Sequence, residues 1–126
     1  MVRASNIYGW GLYSNQITII ASDVPGEVSI PTVSYGAGTY VNISWISPTS
    51  NGESIISYEI EVLSSDGITF YQDTTDCNGN ITTIVTDLYC EIPMATLTAT
   101  PYSLAFGSLI QAKVRAYNTN GYGPYS

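Results

Sequence analysis

The sequence contains no histidine among its 126 residues. Histidine is the usual general base of Ser-His-Asp and Cys-His nucleophile systems and the commonest side chain in zinc sites. Its absence argues against hydrolytic enzymes of these classes and against most zinc centres. We therefore predict a protein that is not an enzyme, with no catalytic residues, no cofactor and no metal.

Positive charge is almost as scarce. Only Arg3, Lys113 and Arg115 oppose ten acidic residues, which gives a net charge of −7. Three cations cannot form the basic patch that nucleic-acid binding requires, and an anionic membrane surface would repel the chain. The longest apolar run covers only about residues 17–21, which is too short to span a bilayer. The sequence predicts no nucleic-acid partner and no direct membrane insertion.

Hydroxyl groups are abundant instead, on 15 Ser, 14 Thr and 11 Tyr residues. Charged residues make up 10% of the chain, against about 25% in a typical soluble domain. Hydrophobic residues make up 44%, enough for a buried core, and the length suits one domain. A polar but uncharged surface is common on secreted proteins, so we expect an extracellular or cell-surface location, although the first residues do not resemble a signal peptide.

The two ends of the chain carry similar sequences. Residues 2–14 (VRASNIYGWGLYS) and residues 114–126 (VRAYNTNGYGPYS) are identical at eight of 13 positions, at an offset of 112. We interpret 112 residues as the period of a tandem array. On this interpretation residues 1–21 are the end of the preceding repeat, and residues 22–126 form the next domain.

Polar and apolar residues alternate along three segments, residues 41–45, 56–62 and 110–116. Such alternation is typical of strands with one buried face. Glycine-rich and proline-rich turn signals separate these segments, and no long window shows the 3.6-residue period of a helix. The sequence predicts an all-β, immunoglobulin-like sandwich in which about seven antiparallel strands form two sheets.

In detail, the residues resemble a fibronectin type III domain. Trp45 followed by Pro48 fits the family's strand B, and residues 55–62 (IISYEIEV) look like its strand C. Residues 104–118 resemble the turn into strand F together with that strand, and residues 121–126 (GYGPYS) match the glycine-rich loop before strand G. The resemblance covers about residues 25–126 and implies a two-sheet sandwich.

The sequence departs from this family in three places. Ile110 stands where most members carry the tyrosine of the tyrosine corner, so that hydrogen bond is expected to be missing. The segment of residues 64–104 is longer than usual, and its two cysteines are similar to a variant found in secreted tandem-repeat proteins of protists. The chain also stops at Ser126, just before strand G, whereas a segment matching that strand lies at residues 13–21.

The N-terminal segment is therefore expected to serve a neighbour. The start of strand A and the end of strand G lie at opposite poles of this fold, and a linker of four residues (22–25) extends at most ~14 Å. Residues 1–21 cannot easily complete their own domain. We expect them to complete the preceding repeat, either within a covalent array or as a strand donated to another chain, which leaves residues 22–126 without a strand G of their own.

Cys77 and Cys90 are the only cysteines, and in a chain of secreted character they predict a disulfide. A redox or metal pair is the weaker alternative, because the spacing is not Cys-x-x-Cys and no further soft ligand exists. Asn42 and Asn80 begin Asn-x-Ser/Thr triplets and are candidate N-glycosylation sites.

Glu59 and Glu61 alternate on one strand and so share a face, an arrangement that could imitate the carboxylate pair of a glycosidase. Such a pair normally lies in a cleft, whereas these residues are predicted on an open sheet. We interpret them as part of a solvated surface.

Aromatic and apolar residues cluster near the predicted junction between repeats. We take these as candidate inter-repeat contacts: Tyr8, Trp10, Tyr13, Ile17, Ile19, Tyr122 and Tyr125.

Two functions from different classes follow from these observations. The first is a structural repeat of an extracellular fibrous or multi-repeat glycoprotein, whose partners are neighbouring copies arranged head to tail. The alternative is an adhesion or binding module that holds a glycan or a protein through exposed loops such as residues 47–53. Because this fold hosts many functions, the choice depends on the site.

Overall fold

The computed structural model describes all 126 residues and contains nine short strands and two short helices. In chain order the elements are β1 (Ser5–Asn6), β2 (Gly9–Trp10), β3 (Thr32–Tyr35), β4 (Tyr40–Ser44), β5 (Ser57–Leu63), β6 (Phe70–Gln72), α1 (Thr82–Asp87), β7 (Tyr89–Pro93), α2 (Met94–Thr98), β8 (Ala112–Asn118) and β9 (Gly121–Tyr122).

Seven of the strands form two antiparallel sheets. One sheet has the order β3-β4-β7 and the other β6-β5-β8-β9, while β1 and β2 pair only with each other. The longest pairing joins β5 to β8, from Ser57 opposite Tyr117 to Val62 opposite Ala112. This architecture confirms the predicted all-β sandwich of two sheets and about seven antiparallel strands.

The two sheets enclose one hydrophobic core. Val41 and Ile43 of β4 and Ile92 of β7 point inward from the first sheet, opposite Ile60 of β5 and Val114 of β8, and each is at most 1% exposed. Successive residues of a strand point to opposite sides, which leaves the polar residues between them on the outer faces. Burying one such aliphatic side chain contributes roughly 1.5–3 kcal/mol to folding.

Two short helices depart from the prediction of an entirely β structure. α1 has six residues and α2 has five, of which Leu97 is buried. A helix of this length completes less than two turns, so it cannot produce a recognisable 3.6-residue pattern in the sequence. Ile56, which the predicted alternation placed inward, precedes β5 and is 50% exposed. Neither helix has the length that crossing a membrane would require.

A disulfide joins Cys77 to Cys90, as predicted. Both side chains are buried, and their Cα atoms lie 5.2 Å apart. The bond links the turn that precedes α1 to β7, at the point where Cys90 lies opposite Ile43 of β4. It therefore fastens the unusually long segment between β6 and β7 directly to the core.

Residues 23–28 complete the sandwich beside the loop of residues 47–53. The Asp23 N–H donates to the Asn51 carbonyl (3.0 Å) and the Gly26 N–H to the Thr49 carbonyl (2.9 Å). Val28 is 1% exposed, so this segment adds to the core without forming a regular strand. These contacts place the start of the domain at about residue 23.

Candidate inter-repeat interface

The C-terminal hairpin consists of β8, a tight turn and β9. Tyr117 lies opposite Tyr122 and Asn118 opposite Gly121, and the Asn118 Oδ1 accepts a hydrogen bond from the Asn120 N–H (2.9 Å). Gly121 has a φ of 133°, a conformation that L side chains rarely adopt. The turn therefore depends on its asparagine and its glycine, both of which belong to the repeated sequence.

The chain continues along β8 beyond this turn. The Gly123 N–H donates to the Ala116 carbonyl (2.9 Å), and the Ser126 N–H donates to the Val114 carbonyl (3.0 Å). The Ser126 hydroxyl also accepts from the Val114 N–H (3.0 Å). Residues 123–126 are therefore the first residues of a final strand beside β8. The sequence had predicted that the chain stops just before that strand.

The N-terminal hairpin has the same hydrogen bonds at the same spacing. The Gly11 N–H donates to the Ala4 carbonyl (2.8 Å), the Ser14 N–H donates to the Val2 carbonyl (2.8 Å), and the Ser14 hydroxyl accepts from the Val2 N–H (3.0 Å). Each donor and acceptor lies 112 positions before its C-terminal counterpart. The repeated sequence thus forms the same local structure twice.

A cation stacks between two aromatic rings in both hairpins. The Arg115 guanidinium lies 4.1 Å from the ring centroid of Tyr122 and 4.5 Å from that of Tyr125. Its equivalent, Arg3, lies 4.5 Å from the Trp10 ring and 4.6 Å from the Tyr13 ring. Each such contact is worth about 0.5–1 kcal/mol at an exposed site. The stack brings together Tyr122 and Tyr125 in one copy, and Trp10 and Tyr13 in the other.

In the C-terminal copy the stack extends across the sheet. Lys113 lies between Tyr125 (4.0 Å from the ring centroid) and Phe70 of β6 (4.3 Å), so aromatic and cationic side chains alternate over three strands and the segment after β9. Burial among these neighbours raises the pKa of the Tyr125 hydroxyl, and the charges of Glu59 and Glu61 raise it further. The phenol therefore stays neutral throughout the physiological range.

The two glutamates of β5 anchor this ladder and do not form a solvated face. Glu59 accepts a hydrogen bond from Arg115 (2.5 Å), and Glu61 pairs with Lys113 (2.8 Å). Their side chains are only 19% and 18% exposed. The interpretation from sequence was wrong here because β8 supplies both cations directly opposite, at positions that lie more than 50 residues away in the chain.

The two hairpins differ in what surrounds them. Every residue from 1 to 23 is exposed, including Tyr8 (90%) and Trp10 (63%). Ile17 and Ile19 are 85% and 83% exposed. The N-terminal hairpin thus has the internal bonds of its counterpart without a sandwich to support it.

Asn118 shows what the N-terminal copy lacks. It is fully buried, and its Nδ2 donates to the carbonyls of Asp23 (2.8 Å) and Ser50 (3.2 Å). The equivalent Asn6 is exposed and keeps only the turn contact, in which its Oδ1 accepts from the Tyr8 N–H (2.9 Å). Asn118 therefore ties the hairpin to the start of the domain, whereas Asn6 has no such partners.

The fold of this chain has counterparts among solved structures. Neither a protein-family profile nor a curated protein sequence matches the chain. Solved structures do match. The sixth fibronectin type III domain of human fibronectin type III domain containing protein 3 has a TM-score of 0.57 and 24% identity, over 83% of this chain and 81% of that one. The chain has the fibronectin type III fold.

Two further solved structures have a similar fold. A crystal structure of domains from titin has a TM-score of 0.58 and 19% identity over 83% of this chain, which spans only 30% of the titin chain. The solution structure of the fourth fibronectin type III domain of a human protein has a TM-score of 0.56 and 18% identity, over 92% of this chain and 82% of that one. At these identities the likeness establishes the fold alone.

The candidate glycosylation sites occupy different positions on the sandwich. Asn80 is exposed in the turn before α1, where its Nδ2 donates to the Asn78 Oδ1 (3.2 Å). Asn42 is half-buried in the middle of β4, between Ser34 of β3 and Glu91 of β7. Asn80 is thus the more accessible of the two.

Sequence reasoning missed the contributions of Asn118, Phe70 and Lys113 to this interface. Asn118 carried a usable signal, because it is identical to Asn6 in the repeat. Lys113 and Phe70 carried none, since Met1 occupies the position equivalent to Lys113 and Phe70 belongs to a distant strand.

Replacing Arg115 by leucine tests how much the ladder of stacked cations and aromatic rings stabilises the sandwich. Loss of the Glu59 pair and of two aromatic contacts is expected to reduce the free energy of unfolding by about 1.5 kcal/mol, which already allows for solvent screening of a partly exposed pair. Arg3→Leu is the matched control, expected to change stability by less than about 0.5 kcal/mol. Urea denaturation measures both, and equal losses would show that the ladder is not what stabilises the domain.

Proposed function

We propose that this chain is a structural repeat of an extracellular multi-repeat protein, in which fibronectin type III domains follow one another head to tail. The observation that carries this proposal is the duplicated hairpin. The same hydrogen bonds and the same cation stack occur twice, 112 residues apart, and only the C-terminal copy rests on a sandwich. A hairpin of this kind without its domain is what one period of an array includes from the repeat before it.

The extracellular setting is supported by covalent and surface chemistry. The buried Cys77–Cys90 disulfide favours an oxidising compartment. The surface is poor in charge and rich in hydroxyl groups, and Asn80 is exposed within its sequon. These features fit a secreted, glycosylated repeat.

The alternative of a glycan-binding or protein-binding loop has less support. The loop of residues 47–53 already uses the carbonyls of Thr49 and Asn51 to hold the start of the domain, and that of Ser50 to hold Asn118. The aromatic rings of Tyr122 and Tyr125 stack on Arg115. The features that suggested a ligand site from sequence are thus engaged in contacts within the molecule.

A chain of such domains would transmit force through short connections. Only eight residues separate Ser14, whose backbone makes the last main-chain hydrogen bond of the N-terminal hairpin, from Asp23, whose backbone makes the first main-chain hydrogen bond to the next sandwich. Tension on one domain would therefore pass directly from its last strand to the first segment of its neighbour. No catalytic chemistry is involved, and the ladder around Arg115 would stiffen the end of each domain where the next begins.

Tandem chains test this function. Residues 1–126 followed by one or two further copies of residues 15–126 would contain two or three periods. Small-angle X-ray scattering is expected to show a maximum dimension that grows by a constant increment for each period. A control carries a ten-residue Gly-Ser insert between Ala21 and Ser22 at each junction. The residues of the repeats themselves stay unchanged. If the tandem chains scatter like this flexible control, the domains are independent and the proposed function is wrong.

A further inference from the structure

Three buried side-chain atoms have no hydrogen-bond partner within the molecule. They are the Trp45 Nε1, the Asp73 Oδ2 and the Tyr102 hydroxyl oxygen. Asp73 is 7% exposed and Tyr102 is 2% exposed. Nearly all buried polar groups in native proteins are paired, because an unpaired one is costly. Asp73 and Tyr102 line the same pocket, which points to a partner that comes from outside the chain.

This pocket lies between the turn that follows β6 and the segment that contains α2. Its volume is about 260 Å³, many times the roughly 10–15 Å³ that a single water needs. The polar residues around it include Asp73, Thr74, Thr75, Asp76, Thr96 and Tyr102. All its lining residues belong to residues 64–104, the segment that is longer than in most fibronectin type III domains, and neither hairpin contributes to it.

The Asp73 carboxylate is held in a fixed orientation. Its Oδ1 accepts hydrogen bonds from the Thr75 N–H (2.8 Å) and the Asp76 N–H (3.0 Å), which close a tight turn. Its Oδ2 takes part in neither bond and has no other partner. An acceptor is thus oriented in advance, which lowers the entropy cost of binding a donor.

Tyr102 is fixed in a similar way. Its ring packs edge-on against Tyr71, with centroids 6.1 Å apart and planes at 82°, and its carbonyl accepts from the Ser65 N–H (2.9 Å). Burial, and secondly the charge of Asp73, raise the pKa of the Tyr102 hydroxyl to about 12. The phenol is therefore neutral at physiological pH and has a hydrogen to donate.

The two unpartnered groups together select the chemistry of the ligand. A carboxylate oxygen accepts hydrogen bonds, whereas the phenol needs an acceptor for its hydrogen. A metal cation or an ammonium group would satisfy Asp73 and leave the phenol of Tyr102 without an acceptor. An anionic group would be repelled by Asp73 and Asp76, and no lysine or arginine lines the pocket. An alcohol hydroxyl both donates and accepts, so it satisfies the two groups at once.

We propose that this pocket binds a neutral sugar residue, whose hydroxyls donate to Asp73 and accept from Tyr102. A sugar ring presents several adjacent hydroxyls without charge, which matches a pocket that also contains Thr75 and Thr96. Sites for drug-sized ligands enclose about 300–1,000 Å³, so the smaller volume here suits a single ring. The inference does not rest on the proposed array, because no residue of either hairpin takes part.

Nuclear magnetic resonance titration of the isotope-labelled chain tests the site. The probes are the methyl glycosides of glucose, galactose, mannose and N-acetylglucosamine, each added to about 50 mM, well above the dissociation constant of roughly 1–10 mM expected for at least one of them. The bound glycoside is expected to shift the backbone amide signals of Thr75, Asp76 and Tyr102 until they saturate. Glucuronate and calcium chloride, added separately, are expected to leave these signals in place.

Matched substitutions separate binding from stability. Tyr102→Phe keeps the ring against Tyr71 and removes only the unpartnered hydroxyl, so affinity is expected to fall by about tenfold or more while the melting temperature stays the same or rises. Asp73→Asn retains an amide oxygen for the two N–H groups of its turn and is expected to weaken binding by a similar factor. Tyr40→Phe changes an exposed tyrosine of β4, outside the pocket, and is expected to leave affinity unchanged.

The proposal is wrong if none of the four glycosides shifts the pocket amides, or if Tyr102→Phe binds as tightly as the native chain. Saturating shifts with calcium chloride alone would identify a cation site instead. A Tyr102→Phe variant that melts several degrees lower would also overturn it, since the hydroxyl would then have a partner within the fold. None of these outcomes bears on the scattering of tandem chains, so the array and the sugar site can fail separately.

Discussion

Replacing Cys77 and Cys90 together by alanine is expected to lower the free energy of unfolding by about 3 kcal/mol. The disulfide closes a loop with a sequence separation of 13, and both sulfur-bearing side chains are buried against the core. Without it, the unfolded chain gains conformational freedom and the turn before α1 loses its covalent cross-link to β7. Thermal unfolding followed by circular dichroism should show a decrease of about 12 °C in melting temperature.

Reduction of the native chain provides the control for this prediction. A reducing agent in excess is expected to bring the melting temperature of the unchanged sequence close to that of the double alanine variant. The variant itself should not respond to the agent. A variant that melts at the temperature of the oxidised native chain would mean that the loop is held by its non-covalent contacts alone.

Asn118→Ala is expected to cost about 3 kcal/mol, far more than a typical exposed polar substitution. Asn118 is fully buried, and its loss removes two hydrogen bonds that join the hairpin to Asp23 and to Ser50. The turn contact with the Asn120 N–H is lost as well. Chemical denaturation of the variant should show a lower midpoint with a similar slope, because the fold is retained while its stability falls.

The repeat supplies an unusual control for this substitution. Asn6 occupies the equivalent position and makes the equivalent turn contact, but it is exposed. Asn6→Ala is therefore expected to change stability by less than about 0.5 kcal/mol. A comparable loss at both positions would indicate that the asparagine acts only within its own turn, and not by fastening the hairpin to the domain.

The fold was predictable from sequence where strands have one buried face. The alternation around Val41 and Ile43, and again around Ile60 and Val62, is a period of two that only a half-buried strand explains. β3 and β6 lie at sheet edges and are mostly exposed, so no such pattern marks them. The helices escaped prediction for a different reason, since five or six residues contain too few turns to establish a period.

The interface was only partly predictable. The repeat of residues 2–14 pointed to the hairpin, because identical residues at one offset specify the same turn and the same stack. The pairing of Glu59 with Arg115, by contrast, depends on the register between β5 and β8, which a single sequence does not reveal.

All three cations of the chain are engaged in the aromatic stacks of the two hairpins. Two glutamates face Lys113 and Arg115, which leaves eight acidic residues without a nearby cation. A row of these domains would therefore behave as a polyanion with its counter-ions outside the protein. Repulsion between parallel rows falls within about 8 Å at physiological salt. In the proposed array, the lateral spacing of such rows would consequently respond to ionic strength.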